Sequence, residues 1–124
     1  MSKPKLIIIE DETIIAIGLR KRFQSLGYEV CNVVSRSEEI MASVEKEKPD
    51  LILMDINIQG KKDGIELAKE IKATFNTPIV FLSGYADTEM KRRANMVNHS
   101  GLFEKPVEIQ VLHEAFQNAL QQQA

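Results

Sequence analysis

Tryptophan is absent from this 124-residue sequence, and cysteine occurs once, at Cys31. A lone cysteine excludes an internal disulfide framework and fits a reducing compartment; the chain is expected in the cytoplasm. A basic excess is also lacking. Sixteen Lys and Arg stand against 18 Asp and Glu, for a net charge of −2. A protein that neutralises a phosphate backbone carries a positive surplus, so no direct nucleic-acid partner is expected. The longest apolar runs are four to five residues, far below the roughly twenty a membrane helix needs. The N-terminal stretch MSKPKLIIIEDE has too short an apolar run for a signal peptide. The six glycines form neither a dinucleotide-binding nor a Walker fingerprint. His99, His113 and Cys31 lack zinc-ligand spacing.

What is present is a regular alternation. Apolar runs fall at Leu6–Ile9, Tyr28–Val34, Leu51–Met54, Ile79–Leu82 and, weakly, Leu102–Phe103. Three of them (LIII, LILM, IVFL) are apolar at every position, as suits strands buried on both faces of a parallel sheet. Helical stripes lie between: Ile15, Leu19, Phe23 and Leu26; then Ile40, Met41 and Val44, behind the capping-type sequence Ser35–Glu38; then Leu67, Ala68, Ile71 and Phe75. A fourth segment, Asp87 to Val97, has only Met90, Ala94 and Val97 as anchors; a fifth, after Pro106, has Ile109, Leu112, Phe116 and Leu120. Gly27, Pro49-Asp50 and Asn76-Thr77-Pro78 punctuate the pattern. Five β-α units predict a single doubly wound α/β domain, residues 1–124, with helices on both faces. Ligands of such a sheet bind at the carboxyl ends of its strands.

Those ends carry chemistry. Glu10, Asp11 and Glu12 follow the first run, Asp55 the third, Ser83-Gly84 the fourth and Lys105-Pro106 the fifth. Each alone has a plain explanation: acids at a helix start, a loop aspartate, a turn, a solvated lysine. Together they converge on one edge. Two carboxylates at about 4 Å repel by roughly 4 kcal/mol at an effective dielectric near 20, so positive charge must offset them. Lys105 supplies one unit and a hard divalent cation would supply two. Such a cation takes one or two carboxylates and a phosphate oxygen, which points to phosphoryl transfer.

In these residues the chain resembles the receiver domain of two-component response regulators (CheY-like). The matching motifs are Ile9-Glu10-Asp11, the run PDLILMDI containing Asp55, Asp63-Gly64-Ile65-Glu66, Ile79 to Ser83, and Lys105-Pro106. The resemblance implies a flavodoxin-like (βα)5 fold with strand order 2-1-3-4-5. It implies that Asp55 is the phosphoacceptor for a partner histidine kinase or phosphotransfer protein. Mg2+ (or Mn2+) is expected on Asp11 and Asp55, on Glu10 through water, and on the backbone carbonyl of Asn57. Lys105 and Ser83 are expected to bind the phosphoryl oxygens, and Pro106 to follow a cis bond. The face built from the fourth helix, fifth strand and fifth helix is expected to signal to an output domain or target protein, with phosphorylation-dependent dimerisation as one outlet. The domain is expected not to be an enzyme beyond its own phosphorylation and slow dephosphorylation.

The chain departs from the common pattern in three places. The loop DINIQGKKDG is one residue longer than usual, lacks the usual proline and carries Lys61 and Lys62. Leu102 stands where an aromatic is usual, three residues before Lys105, which predicts a looser switch. Tyr85, two residues after Ser83, is expected to overhang the phosphoryl group and lengthen its lifetime. Lys91-Arg92-Arg93 reads as a solvated helix face. Two other functions compete. A phosphohydrolase of haloacid-dehalogenase type would use a second Asp two residues after its nucleophile, where this chain has Asn57. A non-phosphorylated receiver-like interaction domain would typically lack the acceptor or the lysine.

Overall fold

Unbroken aliphatic runs bury both faces of a strand, and the central strands form where those runs lie. The computed structural model describes residues 3–58, 60–85 and 87–123. Met1, Ser2, Gln59, Ala86 and Ala124 of the expected 1–124 unit lie outside the described residues. The elements run β1 (Lys5–Ile9), α1 (Thr13–Ser25), β2 (Glu29–Val34), α2 (Ser37–Glu47), β3 (Leu51–Asp55), α3 (Gly64–Thr74), β4 (Ile79–Ser83), α4 (Thr88–Asn95), β5 (Gly101–Glu104) and α5 (Ile109–Gln123). All pairings are parallel, in the order β2-β1-β3-β4-β5. This is the doubly wound, flavodoxin-like arrangement.

The period-2 alternation of each strand sends side chains into two cores. Ile7, Ile9, Ile52, Met54, Ile79 and Phe81 meet α2, α3 and α4 on one face. Leu6, Ile8, Leu51, Leu53, Val80 and Leu82 meet Phe23 of α1 and Leu112 and Phe116 of α5 on the other. Leu102 and Phe103, adjacent in β5, divide between the two faces in the same way. Among the described residues, no helix is long and apolar enough to cross a membrane.

Helix ends follow local chemistry, with one correction. Gly27, at φ +97°, takes the left-handed turn after α1 that a Cβ would strain. The expected cap at Ser35 does not form. The chain is still extended at Arg36 (φ −128°, ψ 142°), α2 begins at Ser37, and Arg36 makes no side-chain capping bond. Ser37 is buried instead, its hydroxyl occupying the space that a Cβ on Gly60 would need. The reciprocal capping box sits on α3, where Asp63 accepts from the Glu66 N–H at 2.9 Å and Glu66 accepts from the Asp63 N–H at 3.1 Å. The poor fourth stripe yields a short α4, capped by Asp87, with Ala94 its one fully buried residue.

Candidate functional site

Two strand ends, those of β1 and β3, bring the acids together. Glu10 leaves β1, held by its N–H donating to the Val34 carbonyl at 3.0 Å, and is almost wholly buried. Asp55 ends β3 and is equally buried, with the next N–H, of Ile56, donating to Leu82 of β4 at 2.9 Å. Asp11 is half-buried beside them. One carboxylate oxygen from each of Glu10, Asp11 and Asp55 lies within 4.8 Å of the others.

Lys105 reaches into this group from the end of β5. Its backbone N–H donates to the Ser83 carbonyl at 2.8 Å, which fixes the stem. Its Nζ lies 2.8 Å from Glu10 Oε2, 3.1 Å from Asp55 Oδ2 and 3.5 Å from Glu12 Oε1. Burial opposes charge on this amine. The hydrogen bonds to Glu10 and Asp55 outweigh burial and hold the ammonium above the usual lysine range. Burial also raises the Glu10 carboxyl above its ordinary range; Lys105 counters this and the Asp55 charge adds to it.

The remaining donors are few. Asp55 Oδ1 accepts from the Asn57 backbone N–H at 3.0 Å. Glu10 Oε1 accepts from the Glu12 N–H at 3.2 Å. Glu10 Oε2 is close to Nζ yet has no well-aligned donor. One lysine therefore faces four carboxylates, one with an open buried lone pair. This all-oxygen, anionic donor set fits a hard divalent cation.

The other residues expected here are placed as follows. Ser83 ends β4 and is fully buried. Its hydroxyl donates to the Tyr85 carbonyl at 2.7 Å, accepts from the Tyr85 N–H at 3.2 Å, and touches Met90 Sδ at 3.5 Å. It thus makes its hydrogen bonds within its own loop and with α4, and none with the acids. The Tyr85 residue is 72% exposed, and its backbone makes the contacts with Ser83. Leu102 pairs in register with Phe81 and packs half-buried on the α4 side of the sheet. The Lys105–Pro106 bond is cis.

Two contacts were not anticipated. Glu12 is a further partner of Lys105, a pairing that its place among three consecutive acids signals by charge alone. Arg93 is not part of a wholly solvated face: it pairs with Asp63 at 2.9 Å, while Arg92 pairs with Glu89 of its own helix. Lys62 pairs with Glu70 at 2.6 Å.

Comparison with known proteins places this geometry. The structure is similar to the signal receiver domain of a modulated diguanylate cyclase from Desulfovibrio desulfuricans G20. The TM-score is 0.92 at 36% identity, covering 98% of this chain and 96% of that one. The sequence is 30% identical over 116 residues to the transcriptional regulatory protein PdtaR of Mycobacterium tuberculosis, covering 94% of this chain. The chain spans 56% of that relative's length and 32% of the phyllosphere-induced regulator PhyR of Methylorubrum extorquens. It is also 29% identical to sporulation initiation phosphotransferase F of Bacillus subtilis, covering 97% of this chain and 96% of that protein. The family profile of the response regulator receiver domain matches residues 6–117, from the first strand into the last helix. With the strand order and the acidic strand ends already in place, this match shows that the chain belongs to the response regulator receiver domain family.

Proposed function

We propose that Asp55 accepts a phosphoryl group from a phosphohistidine on a partner kinase or phosphotransfer protein. The observation that carries this reading is the Lys105 ammonium, from the end of β5, bridging Glu10 and Asp55 at the ends of the adjacent strands β1 and β3. A carboxylate oxygen of Asp55 attacks phosphorus, the N–P bond breaks, and its electron pair returns to the imidazole. The product is an acyl phosphate on Asp55. Asp11 and Asp55 would hold Mg2+ (or Mn2+) directly, with Glu10 acting through water and Asn57 through its carbonyl; the ion supplies neutralisation of the phosphoryl oxygens. Lys105 neutralises a further oxygen and stays charged throughout, as its acidic surroundings favour.

The donor needs a seat beside Asp55. Ile14 and Ile17 of α1 are exposed, and Ile14 borders a groove of about 620 Å³ that runs to Lys105 and Pro106. This apolar surface next to the acids suits the phosphodonor.

Phosphorylation then acts on Ser83. To reach a phosphoryl oxygen, its hydroxyl must leave the Tyr85 carbonyl. Shifting a two-state population from 1:99 to 99:1 takes about 5.5 kcal/mol, and charge-assisted hydrogen bonds contribute about 1.5–3 kcal/mol each. Two or three such bonds meet the requirement, with the face of α4, β5 and α5 as output and Leu102 within it.

Incubation with acetyl phosphate and magnesium tests the reading. One phosphoryl group per chain supports it. Continuous turnover indicates a phosphohydrolase, and no reaction an interaction domain without phosphorylation.

The roles of the acids are separable. Asp11→Ala should weaken Mg2+ binding at least tenfold in a fluorescence or NMR titration, because an octahedral ion loses a charged ligand. Glu10→Ala should weaken it less, since that acid acts through water. Equal affinities would contradict the assignment.

Tyr85→Ala should shorten the acyl-phosphate lifetime several-fold, measured by decay of intact-mass labelling. The exposed ring has room to swing over the site when the loop follows Ser83. An unchanged or slower decay removes Tyr85 from this role.

A further inference from the structure

We infer that Arg93 and Asp63 are positioning residues: their ion pair is a strut between α4 and the loop behind Asp55. The inference rests on the proposed role of Asp55.

The strut has a rigid end. Asp63 caps α3 with Oδ1, which accepts from the Glu66 N–H, leaving Oδ2 for Arg93 at 2.9 Å. Gly64, the next residue, donates its N–H to the Ile56 carbonyl at 2.8 Å. A Cβ on Gly64 would lie 2.5 Å from the Asp55 carbonyl oxygen and 2.8 Å from the Ile56 Cα. The first turn of α3 is therefore seated directly on the backbone of Asp55 and Ile56.

The other end is loosely held. Of the eight residues of α4, Ala94 alone is fully buried. Met90, one turn before Arg93, touches the Ser83 hydroxyl at 3.5 Å. The contacts run from Asp55 through Gly64, Asp63, Arg93 and Met90 to Ser83, and the pairing of β3 with β4, Asp55 beside Leu82, closes the ring. Neither neighbouring cation substitutes. Arg92 is held by Glu89 on α4 itself, and Lys62 by Glu70 on α3.

In this ring the Ser83 hydroxyl faces the Tyr85 backbone. The strut therefore belongs to the arrangement in which Ser83 is turned from the acids, and it holds α4 there. Loss of the strut frees α4 and makes the turn of Ser83 toward a phosphoryl group easier. The paired side chains are about one third exposed (32% and 30%), so the effect is modest, about two- to fivefold.

The test uses Arg93→Gln, Asp63→Asn and the double variant; Asn retains a capping oxygen for the Glu66 N–H. Without any ligand, hydrogen exchange of α4 amides should quicken two- to fivefold in each single variant and no further in the double. With Mg2+ and beryllofluoride as phosphoryl analogue, the half-saturating concentration should fall by a similar factor, again without addition in the double. Unchanged exchange, or effects that add, overturn the strut. Failure of the parent to bind beryllofluoride counts against the role of Asp55, while the ligand-free exchange still decides the strut.

Discussion

Asp55→Asn is expected to lose all labelling by acetyl phosphate while unfolding no more easily than the parent. The loss follows because an amide oxygen cannot form the acyl phosphate. The stability follows from the charges. The Asp55 and Glu10 carboxylates are buried within 4.8 Å of each other, a repulsion of about 3–4 kcal/mol at an effective dielectric near 20. Neutralising one removes that repulsion together with the cost of keeping a carboxylate out of water, several kcal/mol. It gives up the attraction to Lys105 at 3.1 Å, about 5 kcal/mol at the same dielectric. The relief of repulsion and desolvation together offsets the lost attraction. Urea unfolding without Mg2+ should show a midpoint at or above the parent's. A folded variant that still labels would remove Asp55 from its role. A markedly lowered midpoint would show that the attraction to Lys105 outweighs the repulsion and desolvation together.

Lys105→Met should produce the opposite sign. The Glu10 and Asp55 side chains are 1% and 3% exposed, and Lys105 is their shared cation. Removing it leaves two buried like charges unpaired, which costs about 3–5 kcal/mol. Methionine retains most of the stem, so lost packing is a minor part. Added Mg2+ should recover much of the loss by binding the folded form. A variant as stable as the parent without Mg2+, or one insensitive to Mg2+, would contradict the electrostatic account. Slower labelling is expected as well, since one phosphoryl oxygen loses its counter-charge.

Much of the fold is legible because the central strands are buried on both faces. LIII, LILM and IVFL carry no polar residue that would permit another reading, and the residue that follows each must lie at the rim. Asp55 and Glu10 could be placed for that reason. Local capping was less legible. Ser35 to Glu38 has the composition of a cap, yet the pairing of β2 and the close seat of Ser37 against Gly60 keep the chain extended one residue longer. The Arg93–Asp63 pair was hidden for a different reason. Arg93 lies on α4 and Asp63 caps α3, and their meeting depends on how α3 and α4 sit on the sheet, which no local pattern encodes. The direction of the Ser83 hydroxyl is of the same kind. A serine at a strand end can face the acids or its own loop with equal chemical ease, and the structure shows it in the loop.

The central claim concerns one carboxylate, and a covalent map reads it directly. The protein is treated with acetyl phosphate and Mg2+, reduced with borohydride to convert an acyl phosphate to the alcohol, and digested for peptide mass analysis. The expected result is homoserine at position 55 and nowhere else. Conversion at position 10, 11 or 12 instead, or none in a protein that has gained phosphoryl mass, would contradict the account.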